Sequence, residues 1–225
     1  MQRISETGSL KIACLHTADS NIAIYEDAAR ELGLLPGVLH HHVRADLLLA
    51  AERVGKLTPD IEAETAAVLR QLAQEADAVV LNCSTLGPTA LRVADGTAAP
   101  VIRADGVLAQ RAVAGGGKVI VLCTVETTIV PTTRLFETAA RETGAAIDVR
   151  LIPGAWALFR GGDQPAYLAR IAEAAEEAHR EGARTVVFAQ ASMTGALQLL
   201  KQSGTLPMTG PAAALQAAVT AVAAT

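Results

Sequence analysis

The sequence predicts an α/β protein of two pseudo-symmetric lobes, each a parallel sheet flanked by helices. Three observations carry that expectation. Short apolar runs alternate with amphipathic stretches, the rhythm of parallel strands joined through helices. The runs are continuously apolar, as strands covered on both faces require. The pattern also repeats. Lys11-Ile12-Ala13-Cys14 aligns at its cysteine with Lys118-Val119-Ile120-Val121-Leu122-Cys123, an offset of 109 residues (123 − 14). The same offset (192 − 83) carries Cys83 onto Ser192, each closing an apolar run.

The elements follow in order. Leu10 to Leu15 reads as a buried strand, and Ile22 to Leu34 as a helix stopped near Gly33 and Pro36. Val38 to Val43 is the second strand. Asp46 to Val54 carries Leu47, Leu48 and Ala51 at helical spacing and stops at Gly55. Thr58-Pro59 starts the next helix, with the hydroxyl as N-cap and proline in the first turn. Ala78 to Asn82 is a strand leading to Cys83, followed by a short helix after Pro88 and a strand at Val101-Ile102.

The second unit repeats this order. A strand over 118–122 precedes a helix over 129–143 and a strand from Ile147 to Ile152. An irregular stretch over 153–163 contains Pro153, Gly154, Gly161 and Gly162; its Trp156, Phe159 and Arg160 either line a pocket or simply pack. A helix over 165–181 ends at Gly182, and a strand from Thr185 to Ala191 leads to Ser192. The Ala-rich tail from Pro211 to Thr225 reads as a buried closing helix. As a membrane span it reaches only about 22 Å, against a hydrocarbon core of about 30 Å. Residues 1–105 with 206–225 are assigned to the first lobe and 106–205 to the second.

Composition narrows the function. Apolar residues make up 51% of the chain but aromatics only 3%, so the core is built from Ala, Val and Leu. The net charge of −4 is mild and the basic residues are scattered, which argues against nucleic-acid or acidic-membrane partners. Three cysteines match neither a metal-ligand spacing nor a secreted disulfide framework, and Met1 to Gly8 lacks an apolar stretch. The expected compartment is the reducing cytoplasm. A homo-oligomer is compatible with an α/β protein of this size.

Ligand sites in parallel α/β sheets lie beyond the carboxyl ends of the strands. Cys14, Cys83, Cys123 and Ser192 are expected at those ends or one residue short of them. Asn82-Cys83-Ser84-Thr85-Leu86-Gly87-Pro88 is a strand-to-helix turn rich in small polar residues. Backbone N–H groups there favour a thiolate, which lowers the thiol pKa, and with the Ser84 and Thr85 hydroxyls they suit a substrate carboxylate. A structural cysteine followed by an ordinary cap is the alternative. Ser192-Met193-Thr194-Gly195 is the matching turn, where a serine donates a hydrogen bond but does not act as a carbon base. Thr124 and Thr127 open another helix, and His16 to Asn21, including Asn21, closes the same pocket. Cys14 and Cys123 read as small buried hydrophobes. His40-His41-His42 does not read as a metal site, because consecutive strand side chains point to opposite faces; a strand-edge cluster with one histidine near the cleft is expected instead. Gly115-Gly116-Gly117 precedes its strand and reads as a turn.

Taken together, the Asn82-Cys83-Ser84-Thr85 turn, Thr124-x-x-Thr127, Ser192 and the 109-residue repeat resemble the aspartate/glutamate racemase family. That family includes hydantoin racemases, maleate isomerases and arylmalonate decarboxylases. The resemblance covers almost the whole chain. It implies no pyridoxal phosphate, no metal, and a cleft where two cysteines flank the substrate α-carbon. It makes Cys83 the first-lobe acid/base, with Ser84, Thr85, Thr124 and Thr127 gripping a carboxylate. Asn82, Thr194 and Asn21 complete the expected binding set. Ser192 stands where the family has its second cysteine. The leading expectation is therefore a cofactor-independent racemase-like isomerase acting on a small carboxylate. Single-cysteine decarboxylase and cis-trans isomerase are the near alternatives, and a non-catalytic anion-binding protein and a Cys83 hydrolase the distant ones.

Overall fold

In the computed structural model, which describes residues 10–200 and 206–224, all strand pairs are parallel and form two sheets. The polar stretch 1–8, residues 201–205 and Thr225 fall outside the described residues. The first sheet has the order β2-β1-β3-β4, from Leu39–Val43 (β2), Ile12–His16 (β1), Ala78–Asn82 (β3) and Val101–Arg103 (β4). The second has the order β6-β5-β7, from Ala146–Leu151 (β6), Lys118–Cys123 (β5) and Thr185–Phe188 (β7). Strands β1, β3, β5 and β7 bury almost every residue, which is why their sequences do not alternate.

The duplication is visible in the register. Ala13 pairs with Val79 in the first sheet and Leu122 with Phe188 in the second, both members displaced by 109 (122 − 13 and 188 − 79). The second sheet also has a vestige of a fourth strand. Met208 bridges Val187 in parallel, on the side of β7 that corresponds to β4 beside β3.

Nine α-helices occur among the described residues: α1 Asn21–Glu31, α2 Ala45–Val54, α3 Pro59–Glu75, α4 Pro88–Val93, α5 Ala104–Val113, α6 Ile129–Ala140, α7 Ala155–Arg160, α8 Gln164–Arg180 and α9 Pro211–Ala223. The Thr58 side chain accepts from the Ile61 N–H, the N-cap expected at the start of α3. Gly55, at φ +75°, closes α2 in the left-handed region that glycine enters without strain.

Three elements differ from the sequence reading. The stretch 153–163 is not wholly irregular, because α7 forms a short helix between Gly154 at φ +76° and the Gly161-Gly162 pair. α5 has no sequence signature: Arg103 at its N-cap makes no capping bond, and Gly106 stands in its first turn. The strand before Ser192 ends at Phe188, not Ala191, and Ser192 sits in a 3-10 turn over Ala191–Leu199.

α5 and α9 pack against each other and exchange cover. Leu108, Ala109, Ala112 and Val113 of α5 belong to the core around Val119, Val121 and Val187 of the second sheet. Ala214, Leu215 and Ala218 of α9 join Ile12, Cys14 and Val80 of the first. Each sheet is thus completed by a helix that follows the other sheet in the chain. The start of α5 and the Gly210-Pro211 entry to α9 then line the space between the sheets.

Candidate functional site

A cleft of about 680 Å³, including its mouth, opens at the carboxyl ends of β1, β3, β5 and β7. Cys83 and Ser192 both line it, one from each sheet. So do Thr17, Ala18 and Asn21 after β1, the run Asn82 to Thr85 after β3, Thr128 after β5, and Gln190 after β7. Strand ends converge here because parallel sheets direct every following loop to one edge.

Cys83 is half-buried and is the one thiol lining the cleft. Its pKa is raised, not lowered as the sequence reading expects. Burial is the largest cause. The Leu86 and Thr85 N–H groups and the Thr17 hydroxyl hydrogen-bond the sulfur and pull the other way, while the Asp105 charge raises it further. The helix effect is weak because α4 starts at Pro88, five residues on, and is only six residues long. At rest the group is a neutral thiol.

Ser192 is buried, and its hydroxyl lies 2.8 Å from the Tyr167 hydroxyl. Burial raises the Tyr167 pKa against its hydrogen bonds to Ser192 and Thr124, so this phenol is no base. Thr124 does not line the cleft. Its N–H and hydroxyl both donate to Gln190 Oε1, at 2.9 and 3.2 Å, and Gln190 Nε2 donates to Thr128 Oγ1 at 3.2 Å. Thr124 therefore fixes Gln190, which does face the cleft.

Thr127 also stands outside the cleft lining. It lies 3.1 Å from Thr85 Oγ1, and both threonines border a wider groove on the outer side. Thr194 is absent from the cleft lining, and its hydroxyl oxygen is buried without a partner. Asn21, Asn82, Ser84 and Thr85 all line the cleft. Asn21 is the most suggestive of these, because its Oδ1 is buried and has no hydrogen-bond partner.

Thr17 lines the cleft within the stretch expected to close it, whereas sequence reasoning missed two polar lining groups, Gln190 and Asp105. Asp105 enters with the unsignalled helix α5. Its carboxylate is gripped in two-pronged fashion by Arg103, at 2.7 and 2.9 Å, in a pair that is less than a tenth exposed. Gly87 makes room for that guanidinium, since a Cβ there would meet Arg103 Nε at 2.7 Å. Trp156 and Phe159 stack at 5.0 Å and line the cleft, whereas Arg160 is not among its lining residues. Among the described residues, no lysine, arginine or histidine lines it.

Behind Asn82 lies a second polar cluster. Of the three consecutive histidines only His41 turns inward, as strand alternation requires; His40 and His42 are exposed. His41 pairs across the sheet with Cys14, and Cys14 shares a face with His16. The ligand atoms of Cys14, His16 and His41 all lie within 4.8 Å of one another. Cys14 is thus mid-strand, two residues before the end of β1, while Cys123 ends β5. Burial, with Glu26 adding to it, pushes the Cys14 thiol up to about 12. Burial and the neighbouring His41 and His42 push His16 down to about 3, so its ring is neutral.

Among protein families, a model for Asp/Glu/hydantoin racemases matches residues 20–219. No curated protein sequence matches the chain. Among solved structures, an aspartate racemase from Picrophilus torridus superposes with a TM-score of 0.73 at 11% identity, covering 95% of this chain and 94% of that one. A glutamate racemase from Bacillus anthracis gives 0.68 at 16%, covering 94% and 80%. An allantoin racemase from Klebsiella pneumoniae gives 0.65 at 19%, covering 96% and 89%.

Proposed function

Because the chain belongs to the Asp/Glu/hydantoin racemase family, we propose that it moves a proton at a carbon alpha to a carboxylate or carbonyl, with Cys83 as carrier and no cofactor. The observation that carries this reading is one thiol and one alcohol, Cys83 and Ser192, lining one cleft from duplicated positions. Removal of the α-proton needs the thiolate, which the Leu86 and Thr85 N–H groups and the Thr17 hydroxyl stabilise. Return of the proton needs the thiol, the form burial favours. Ser192, with Tyr167 behind it, donates a hydrogen bond to the enolate oxygen that develops between those steps. Asn21, Ser84 and Thr85 position the substrate carbonyl or carboxylate.

The cleft walls refine the substrate class. Leu48, Leu108, Val125, Trp156 and Phe159 supply apolar surface, and the single carboxylate, Asp105, is held by Arg103. With no cation among the described lining residues for a second acidic group, the site favours a neutral amino acid or a hydantoin over a dicarboxylic amino acid. The glutamate, aspartate and allantoin racemases that share the fold act on compounds with one common feature, a stereogenic C–H beside a carbonyl.

A specific observation favours a second reading. The Ser192–Tyr167 pair offers no base on the second lobe. One-sided proton delivery by Cys83 to an enediolate, after carbon dioxide leaves a substituted malonate, needs only the single thiol. One experiment separates the readings: incubation in deuterated water with amino acids, hydantoins and substituted malonates. Racemase chemistry deuterates the α-carbon without releasing carbon dioxide, and decarboxylation releases it. Cys83→Ala is expected to abolish either activity. Turnover that survives this substitution excludes the cysteine mechanism.

A further inference from the structure

We propose that Cys14, His16 and His41 form a buried binding site for a divalent, borderline-soft transition ion, with Zn²⁺ as the fitting occupant. None of the three ligands is a group assigned to the proposed reaction. Its three ligands come from paired positions on β1 and β2, Cys14 opposite His41 and His16 two residues along the same face. One thiol and two imidazoles form the mixed sulfur–nitrogen set that such ions prefer.

The distances suit coordination. Tetrahedral bonds of about 2.0–2.1 Å to nitrogen and about 2.3 Å to sulfur set ligand atoms about 3.3–3.6 Å apart. Here the three ligand atoms lie within 4.8 Å of one another, and His16 Nε2 is 2.9 Å from His41 Nδ1. The rings need to part by only about 0.4 Å on that geometry.

Two further observations point to a ligand. His41 turns its other nitrogen, Nε2, to the Glu26 carboxylate at 3.0 Å. A carboxylate on the far nitrogen is the arrangement that orients metal-binding imidazoles and strengthens them as donors. Tyr25, whose ring meets His16 edge-on at 4.9 Å, has a fully buried hydroxyl without a hydrogen-bond partner. That buried, unpaired hydroxyl stands beside the ring of one of the three ligands.

In the metal-free chain a proton occupies the gap. Glu26 accepts from His41 Nε2–H, so His41 Nδ1 accepts from His16 Nε2–H, and His16 Nδ1 accepts from Asn82 Nδ2 at 3.2 Å. Loading the ion releases the Cys14 thiol proton and shifts the His16 proton to Nδ1. Asn82 must then turn its amide so that Oδ1 accepts. Occupancy is thereby coupled to a side chain that lines the cleft beside Cys83.

The test uses the full chain, cleared of metal with a chelator and titrated with Co²⁺ as a spectroscopic substitute for Zn²⁺. The expected result is one equivalent bound, with a thiolate-to-cobalt charge-transfer band that Zn²⁺ displaces. The band persists in Cys83→Ser and Cys123→Ser and is lost in Cys14→Ser and His41→Asn. Glu26→Gln, at a partly exposed position, weakens binding about 10- to 100-fold without threatening the fold. No band at stoichiometric Co²⁺ in the unaltered chain overturns the proposal. So does a band that survives His41→Asn, a readout that holds even if Cys14→Ser misfolds.

Discussion

The Tyr167 hydroxyl lies 2.8 Å from the Ser192 hydroxyl, so the second-lobe counterpart of Cys83 is an alcohol held by a buried phenol. Either hydroxyl of this pair can donate, and Thr124 Oγ1 lies 3.4 Å from the same phenol oxygen. When Tyr167 donates, the Ser192 proton is left to face the cleft. Tyr167→Phe keeps the ring and removes this anchor. The expected loss of stability is about 1 kcal/mol, measured by urea unfolding, with a larger fall in kcat than rise in KM.

Ser192→Cys restores a thiol at the position the repeat pairs with Cys83. If the two face one α-carbon, racemisation of an accepted substrate rises by about 10²-fold, followed by polarimetry or chiral chromatography. An unchanged rate in a folded variant sinks the two-sided geometry.

Asn21 Oδ1 is buried at the cleft without a partner. Removing an unpaired buried acceptor does not cost the fold a hydrogen bond. Asn21→Ala is therefore expected to keep or slightly raise the melting temperature while KM rises about tenfold, a loss of about 1.4 kcal/mol in binding. A collapse in stability with unchanged KM contradicts the binding role.

Arg103 and Asp105 form a buried two-pronged pair. Arg103→Leu leaves an uncompensated carboxylate at the cleft and is expected to cost about 3–5 kcal/mol in chemical denaturation. Adding Asp105→Leu is expected to recover most of it, a non-additivity that a double-mutant cycle measures.

Burial pushes the Cys123 thiol from 9.0 to about 11, against hydrogen bonds from Thr128, Gln190 and Thr132. Between those values the unfolded chain loses this proton while the folded one keeps it, so stability falls as pH rises. The drop is on the order of 3 kcal/mol over that window. Urea titrations at pH 8, 9.5 and 11 are expected to show it, and Cys123→Ala to show a shallower slope.

Much of the fold was legible because burial leaves a direct trace in sequence. Strands covered on both faces read as unbroken apolar runs, and Thr58-Pro59 marks its own helix start. α5 was invisible because no cap or turn residue announces it; its place comes from packing between the second sheet and α9. The stretch around α7 hid its helix because six residues between glycines carry too little periodicity. At the site, the Asn82–Thr85 turn was readable as local chemistry. Thr124 was assigned to the ligand, but its donors go to Gln190, a residue 66 positions away.

The sequence by itself determined the duplicated α/β plan, the family and the thiol and alcohol at matching positions, because repeats, periodicity and motifs are local or fixed-offset signals. Tertiary structure decided which polar groups meet. Cross-strand register joined Cys14 to His41, and chain crossover brought Asp105 to the cleft. Burial raised the Cys83 pKa where a local reading expects it lowered. Each of these depends on neighbours distant in sequence and on the solvent they displace, and no local pattern records either.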